Sequence, residues 1–252
     1  MTVCVGVPFS NGIVLAADTQ VTATNYKDYA PKLGFTGTRS FCVGMAGSGY
    51  LDLLNDTIDS LTKHLPTVGG NSIQEIHDKI RNKLTAIYRP HRKDARSQQL
   101  LTAICIPPES PRLFVWRTNI PSEEGIAVIG CGDVELTRFL KSLISAQPQT
   151  ADEALHWALY VVWRAKKFVN GCGGDTGALI VTNDAKVEKV TCPRTQYLET
   201  YLETVEQEIA EFTSKVMFSA VSQTDFSLLM GGFRQRLWDA HEERFKDFSR
   251  HA

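Results

Sequence analysis

The segment Ile13–Asp18 reads Ile-Val-Leu-Ala-Ala-Asp and is apolar up to its last residue. A strand sends alternate side chains to opposite faces, so this one presents apolar groups on both. A sheet that carries it must be covered on both sides. The segment before it, Thr2 to Val7, is rich in β-branched residues, and Asn11-Gly12 is a two-residue hairpin signal between the two. The chain is therefore expected to open with an antiparallel pair buried in the middle of a layered structure.

The remaining pattern supplies the layers. A polar loop is expected from Thr22 to Pro31, then a hairpin of Lys32–Phe35 and Ser40–Gly44. The glycines Gly44, Gly47 and Gly49 mark a change of character. Leu51, Leu54, Ile58 and Leu61 then keep helical spacing until Val68-Gly69-Gly70 breaks it. Ser72 with Glu75 forms a capping signal for a second helix, whose apolar positions are Ile73, Ile76, Ile80, Leu84 and Ile87. Arg89-Pro90 ends it. Strands are expected at Leu100–Ile106, Leu113–Arg117 and Ala127–Ile129. A helix follows with Leu136, Phe139, Leu140 and Leu143 inward. Another is capped by Thr150 and Glu153 and carries Leu155, Leu159 and Val162. The strands Ala178–Thr182 and Val187–Thr191 complete the order. Strands, two helices, strands, two helices, strands implies two stacked antiparallel sheets with helices on both outer faces. This is an α+β, four-layer αββα sandwich over residues 2–192. Residues 193–252 shift in composition to two amphipathic helices, Tyr197–Met217 and one after a break near Ser222, read as a helical extension.

Bulk properties exclude several function classes. The formal net charge of −1 favours neither nucleic acid nor an anionic membrane. The basic cluster of Arg89, His91, Arg92, Lys93 and Arg96 has no aromatic interleaving and reads as a solvated loop. No apolar run approaches the ~20 residues of a membrane span, and the first residues lack signal-peptide form. The six cysteines form no C-x-x-C pair and have no histidine at metal spacing, as expected of small buried hydrophobes in a reducing, cytoplasmic setting. No cofactor motif is present, and none is expected.

One residue is informative by position. Methionine aminopeptidases remove Met1 when the next residue is small, which would leave Thr2 with a free α-amino group at the head of a buried strand. Such an amine, with a reference pKa of about 7.7–8.0, can take the hydroxyl proton of its own threonine. No pro-segment is apparent. Many chains begin Met-Thr to no catalytic purpose, so the surroundings must decide.

Those surroundings carry a resemblance. The run Thr2-Val-Cys-Val-Gly-Val, then Asn11-Gly12-Ile-Val-Leu-Ala-Ala-Asp18-Thr19, resembles the opening of mature proteasome β-subunits and their bacterial relatives, with Asp18 sixteen residues after Thr2. The resemblance covers about residues 2–192 and implies that family's N-terminal-nucleophile fold. It implies catalytic roles for Thr2, Asp18 and Lys32, with Asp18 keeping Lys32 charged and oriented. It implies an oxyanion donor at Gly47, within Gly44-Met45-Ala46-Gly47. Ile129-Gly130-Cys131-Gly132 and Cys172-Gly173-Gly174 resemble two supporting glycine segments, so Cys131 and Cys172 stand where serines are usual. Val169 stands where an aspartate is usual, with Asn170 or Asp175 as substitutes. Val21, Met45 and Gly49 match positions lining a substrate pocket. The bland alternatives are a turn residue at Asp18, a solvated lysine at Lys32 and a helix-entry glycine at Gly47.

The function so implied is a threonine peptidase in a self-compartmentalised, ring-shaped homo-oligomer. Its substrate is a peptide or unfolded protein, and the resemblance leaves room for an ATP-dependent unfoldase or activator. Two other readings stay open: a small-amide hydrolase or acyl transferase on the same fold, and a structural ring subunit.

Overall fold

The computed structural model describes residues 2–22, 27–144, 146–218 and 222–251. By its internal contacts the chain divides into two compact units, Met1–Thr195 and Gln196–Ala252.

The first unit is an α+β sandwich. One five-stranded sheet holds β1 (Val3–Phe9), β2 (Gly12–Asp18), β10 (Ala127–Gly130), β11 (Thr176–Thr182) and β12 (Lys186–Val190), in the order β10-β1-β2-β11-β12. The other holds β5 (Leu33–Gly37), β6 (Cys42–Ser48), β7 (Gln99–Cys105), β8 (Arg112–Arg117) and β9 (Ile120–Glu124), in chain order. Every neighbouring pair is antiparallel. A short ribbon pairs β3 (Gln20–Thr22) with β4 (Lys27–Tyr29). Helices α1 (Leu51–Val68) and α2 (Ile73–Tyr88) lie on the second sheet, and α3 (Asp133–Leu143) and α4 (Ala151–Phe168) on the first.

The opening strand pair explains this arrangement. All seven residues of β2 are buried. Ile13, Leu15 and Ala17 join the cluster between the two sheets, with Leu101, Ala103, Leu113 and Val181. By alternation Val14 and Ala16 face the other way, where α4 packs across β1 and β2. Each fully buried aliphatic side chain contributes roughly 1.5–3 kcal/mol. Exposing either face of β2 would therefore forfeit several such terms.

The second cluster forms beneath α1 and α2. Leu53, Leu54, Ile58, Leu61 and Leu65 of α1 and Ile73, Ile76, Ile80 and Leu84 of α2 meet Met45, Phe114 and Trp116 of the sheet. The helix starts follow the capping chemistry. Thr150 accepts from the Glu153 amide at 3.2 Å and Glu153 returns a carboxylate oxygen to Thr150. Ser72 accepts from the Glu75 amide at 3.2 Å, but the Glu75 carboxylate reaches the Asn71 amide instead, one residue earlier.

Several expectations need correction. The first hairpin turns at Ser10–Asn11, with Phe9 opposite Gly12, not at Asn11-Gly12. Gly12 is needed for close approach: a Cβ there would lie 2.2 Å from the Val181 carbonyl oxygen and 2.5 Å from the Phe9 ring. Strand β9 is an addition, because its half-exposed Ile-Pro-Ser-Glu-Glu sequence has no strand periodicity. In α3 only Leu140 is buried, and Leu143 is exposed. The expected loop from Thr22 to Pro31 contains instead the end of β3 and all of β4. Residues 23–26 lie outside the described residues, as do Met1 and residues 219–221; Ser222, near which the helix break is expected, is not helical. The basic cluster is exposed at Arg89, His91, Arg92, Lys93 and Arg96, but its end forms a short 3₁₀ turn over Asp94–Ser97.

The second unit comprises most of α5 (Cys192–Phe218) and α6 (Gln223–His251). Phe212 stacks on Phe233 with ring centroids 4.6 Å apart, and Arg236 pairs with Glu208. No described helix is long and apolar enough to cross a membrane.

Ile80 is fully buried on α2. Ile80→Ala should lower the unfolding free energy by about 2–5 kcal/mol, read from the midpoint of a denaturant titration.

Candidate active site

At one end of the first sheet, β1 and β2 bring Thr2 and Asp18 together. Asp18 ends β2 and is fully buried, so its carboxylate must be saturated by donors. One oxygen accepts from the Val3 amide, next to Thr2, at 3.0 Å and from the Lys32 ammonium at 3.0 Å. The other accepts from the Gly173 amide at 3.1 Å. Lys32, only 2% exposed, makes a second bond to the Gln20 carbonyl. Isolating either charge at this depth would be costly, so the pair and its amide donors form one unit.

Thr2 is 6% exposed. Its carbonyl accepts from the Cys131 amide at 2.8 Å. The β10 end that delivers Cys131 is shaped by Gly130, at φ +98°, where a Cβ would lie 2.0 Å from the Thr2 oxygen. A side chain here is excluded twice, by the backbone conformation and by the contact. The Gly130 amide is held at 2.7 Å by the Gln99 side chain of β7, which ties this end of the first sheet to the second.

Backbone pairing fixes the facing loop. Thr19 donates to the Asp175 carbonyl at 2.9 Å and Gln20 to the Gly173 carbonyl at 3.0 Å. Cys172 is buried, and its amide donates to the Val169 carbonyl at 3.2 Å. Burial, and after it the charge of Asp18, pushes the Cys172 thiol up to about 12. Burial likewise pushes the Cys4 thiol far above the usual range, with Lys32 opposing and Asp18 adding to the effect. The Cys4 thiol donates to the Gly47 carbonyl at 3.2 Å. These sulfurs are neutral near pH 7, and the charged chemistry of the site rests on Asp18 and Lys32.

Not every expected residue arrives. The Gly47 amide, expected as an oxyanion donor, donates to the Lys32 carbonyl at 3.0 Å and so already has a partner. What requires glycine there is α1: a Cβ would lie 2.1 Å from Leu54 Cδ1. Asn170 is exposed in the turn after α4 and is not among the donors to Asp18. Asp175 contributes its carbonyl to Thr19, and its residue is exposed. A cavity of about 450 Å³ opens beside Asp18 and Lys32, walled by Leu33, Phe35, Ile58, Leu179 and Val190. None of the three expected pocket residues lines it. Met45 is fully buried in the cluster under α1, Gly49 is exposed, and Val21 lies in the β3–β4 ribbon. Three residues escaped the sequence reading. Gln20 and Gln99 act through a carbonyl and an amide that no motif marks. Ser48 is buried with its hydroxyl 3.0 Å from the point where a Gly130 Cβ would touch Thr2. Among the described residues no group of three histidine, cysteine or acidic side chains could hold a metal ion.

No family model matches the sequence, and no curated protein matches it. Solved structures do. Anbu (ancestral beta-subunit) from Yersinia bercovieri is 15% identical with a TM-score of 0.69, covering 84% of this chain and 96% of that one. A Gly-1 mutant of Anbu from Hyphomicrobium sp. strain MC1 is 14% identical with a TM-score of 0.68, over 83% and 97%. The helical assembly of the Anbu complex from Pseudomonas aeruginosa gives 13%, 0.69, and 83% and 95%. The expected membership of the proteasome β-subunit family is corrected by these findings. No family model supports it, the structural likeness is to Anbu proteins, and at such identity that likeness shows the fold alone.

Two measurements test the site. Lys32→Met should lower stability by about 3–5 kcal/mol in denaturant titration, with part of the loss restored when Asp18→Asn is added. Native alkylation at pH 8 should label the exposed Cys192 and leave Cys4 and Cys172 unmodified in a peptide map.

Proposed function

We propose that this protein is an amide-bond hydrolase of the threonine-peptidase type, with Thr2 as the nucleophile. The observation that carries the reading is the fully buried Asp18 carboxylate, which joins the amide after Thr2 to the Lys32 ammonium. A buried ion pair set beside a strand-head threonine has the makings of a catalytic unit.

The mechanism requires Thr2 to be the first residue of the mature chain. Its α-amine then takes the hydroxyl proton as the oxygen attacks the substrate carbonyl. Lys32 stabilises the alkoxide as it forms, and Asp18 holds the ammonium in place. Negative charge develops on the substrate oxygen in the tetrahedral intermediate. Collapse breaks the C–N bond, the amine leaves with the proton, and an ester remains on Thr2. Water, activated by the same α-amine, hydrolyses the ester. The helical assembly described for the Pseudomonas aeruginosa protein supports self-association of this chain as well.

Intact mass of the purified protein should show Met1 removed, and a peptide epoxyketone should add to Thr2. Thr2→Ala should reduce cleavage of fluorogenic peptides by at least about 10³-fold with the fold intact. Retained Met1, or a Thr2→Ala variant of full activity, would sink the proposal.

A further inference from the structure

Two more buried thiols lie at the opposite end of the β6–β7 ladder from Ser48. The ladder runs from Ser48 opposite Gln99 to Cys42 opposite Cys105. Directly opposed residues of an antiparallel pair have Cα atoms about 4.5–5.5 Å apart. A disulfide takes Cα separations of about 4.4–6.8 Å. Facing partners also project to the same side of the sheet, and both cysteines belong to the cluster between the sheets. Both are free. The Cys42 thiol donates to the Lys186 carbonyl at 3.7 Å. The pair thus sits under the turn between β11 and β12, away from Thr2 and Asp18.

We propose that Cys42 and Cys105 are an oxidation site, at which a peroxide joins the two facing thiols into a cross-strand disulfide. The Cys105 sulfur, as thiolate, attacks one peroxide oxygen. The O–O bond breaks, a sulfenic acid forms, and the departing hydroxide takes up the proton lost by Cys105 and leaves as water. The Cys42 sulfur then displaces the sulfenic hydroxyl, which takes the Cys42 proton and leaves as a second water. Two electrons pass from the sulfurs to the peroxide. The order of events follows the environment. The facing Cys42 thiol holds the Cys105 thiol below the usual range, while the facing Cys105 thiol and burial push Cys42 up. Size selects the oxidant. Cys42 is 3% exposed and Cys105 fully buried, which excludes a glutathione-sized disulfide as the oxidant.

The bond would close a loop holding α1 and α2, and it would restrict the unfolded chain more than the folded one. The test uses the full chain with exposed thiols first blocked by alkylation under native conditions, then treated with hydrogen peroxide. A non-reducing peptide map should show a Cys42–Cys105 linked peptide, with intact mass lower by two hydrogens. The melting temperature should rise by roughly 5–10 °C and return on reduction. Cys42→Ala should abolish the linked peptide and leave a Cys105 sulfenic acid that dimedone traps. A wild-type map in which both residues remain thiols, or in which either is linked to another cysteine, overturns the proposal without reliance on any variant.

Discussion

A fully buried carboxylate governs the architecture at the Thr2 end of the first sheet. Asp18 cannot sit at that depth unless its oxygens are met by donors. Three segments supply them: the head of β1 through the Val3 amide, the entry to β5 through Lys32, and the loop before β11 through the Gly173 amide. The carboxylate therefore acts as a junction. It locates the strand head that carries Thr2, and it draws the Lys32 ammonium into the same small volume. Moving any one segment would leave a buried charge or amide without a partner.

The layers make that depth available. The inter-sheet cluster and the contact of α4 with β1 and β2 remove water from both faces of the central strands. Close approach then depends on missing side chains. Gly130 lets the Thr2 carbonyl come in against β10, and Gly47 lets Leu54 of α1 settle on β6. The thiols of Cys4 and Cys172 fill the remaining space as neutral groups, so they do not compete with Asp18 for Lys32. The donors to the carboxylate are accordingly backbone amides and one ammonium.

The likeness to Anbu structures, at 13–15% identity over more than four fifths of the chain, is one of fold. It shows how little of the sequence the sandwich needs: two-faced burial in the central strands and one apolar stripe on each helix. Chemistry is a separate matter, carried by a handful of side chains at one end.

Much of this was legible in the sequence. The apolar run Ile13–Ala17 dictated a sheet covered on both sides, and the capping residues Ser72 and Thr150 located two helix starts, because those signals are local. The juxtaposition of Asp18 with Lys32 was legible only through the resemblance of the opening motif. Tertiary structure decided the rest. The Gly47 amide is turned to the Lys32 carbonyl by strand pairing, and the cavity is walled by residues from β5, α1, β11 and β12. Cys42 and Cys105, far apart in the chain, become neighbours through register alone. Local sequence sets which face of an element is apolar. Which elements meet, and in what register, is set by long-range packing that no short window of residues contains.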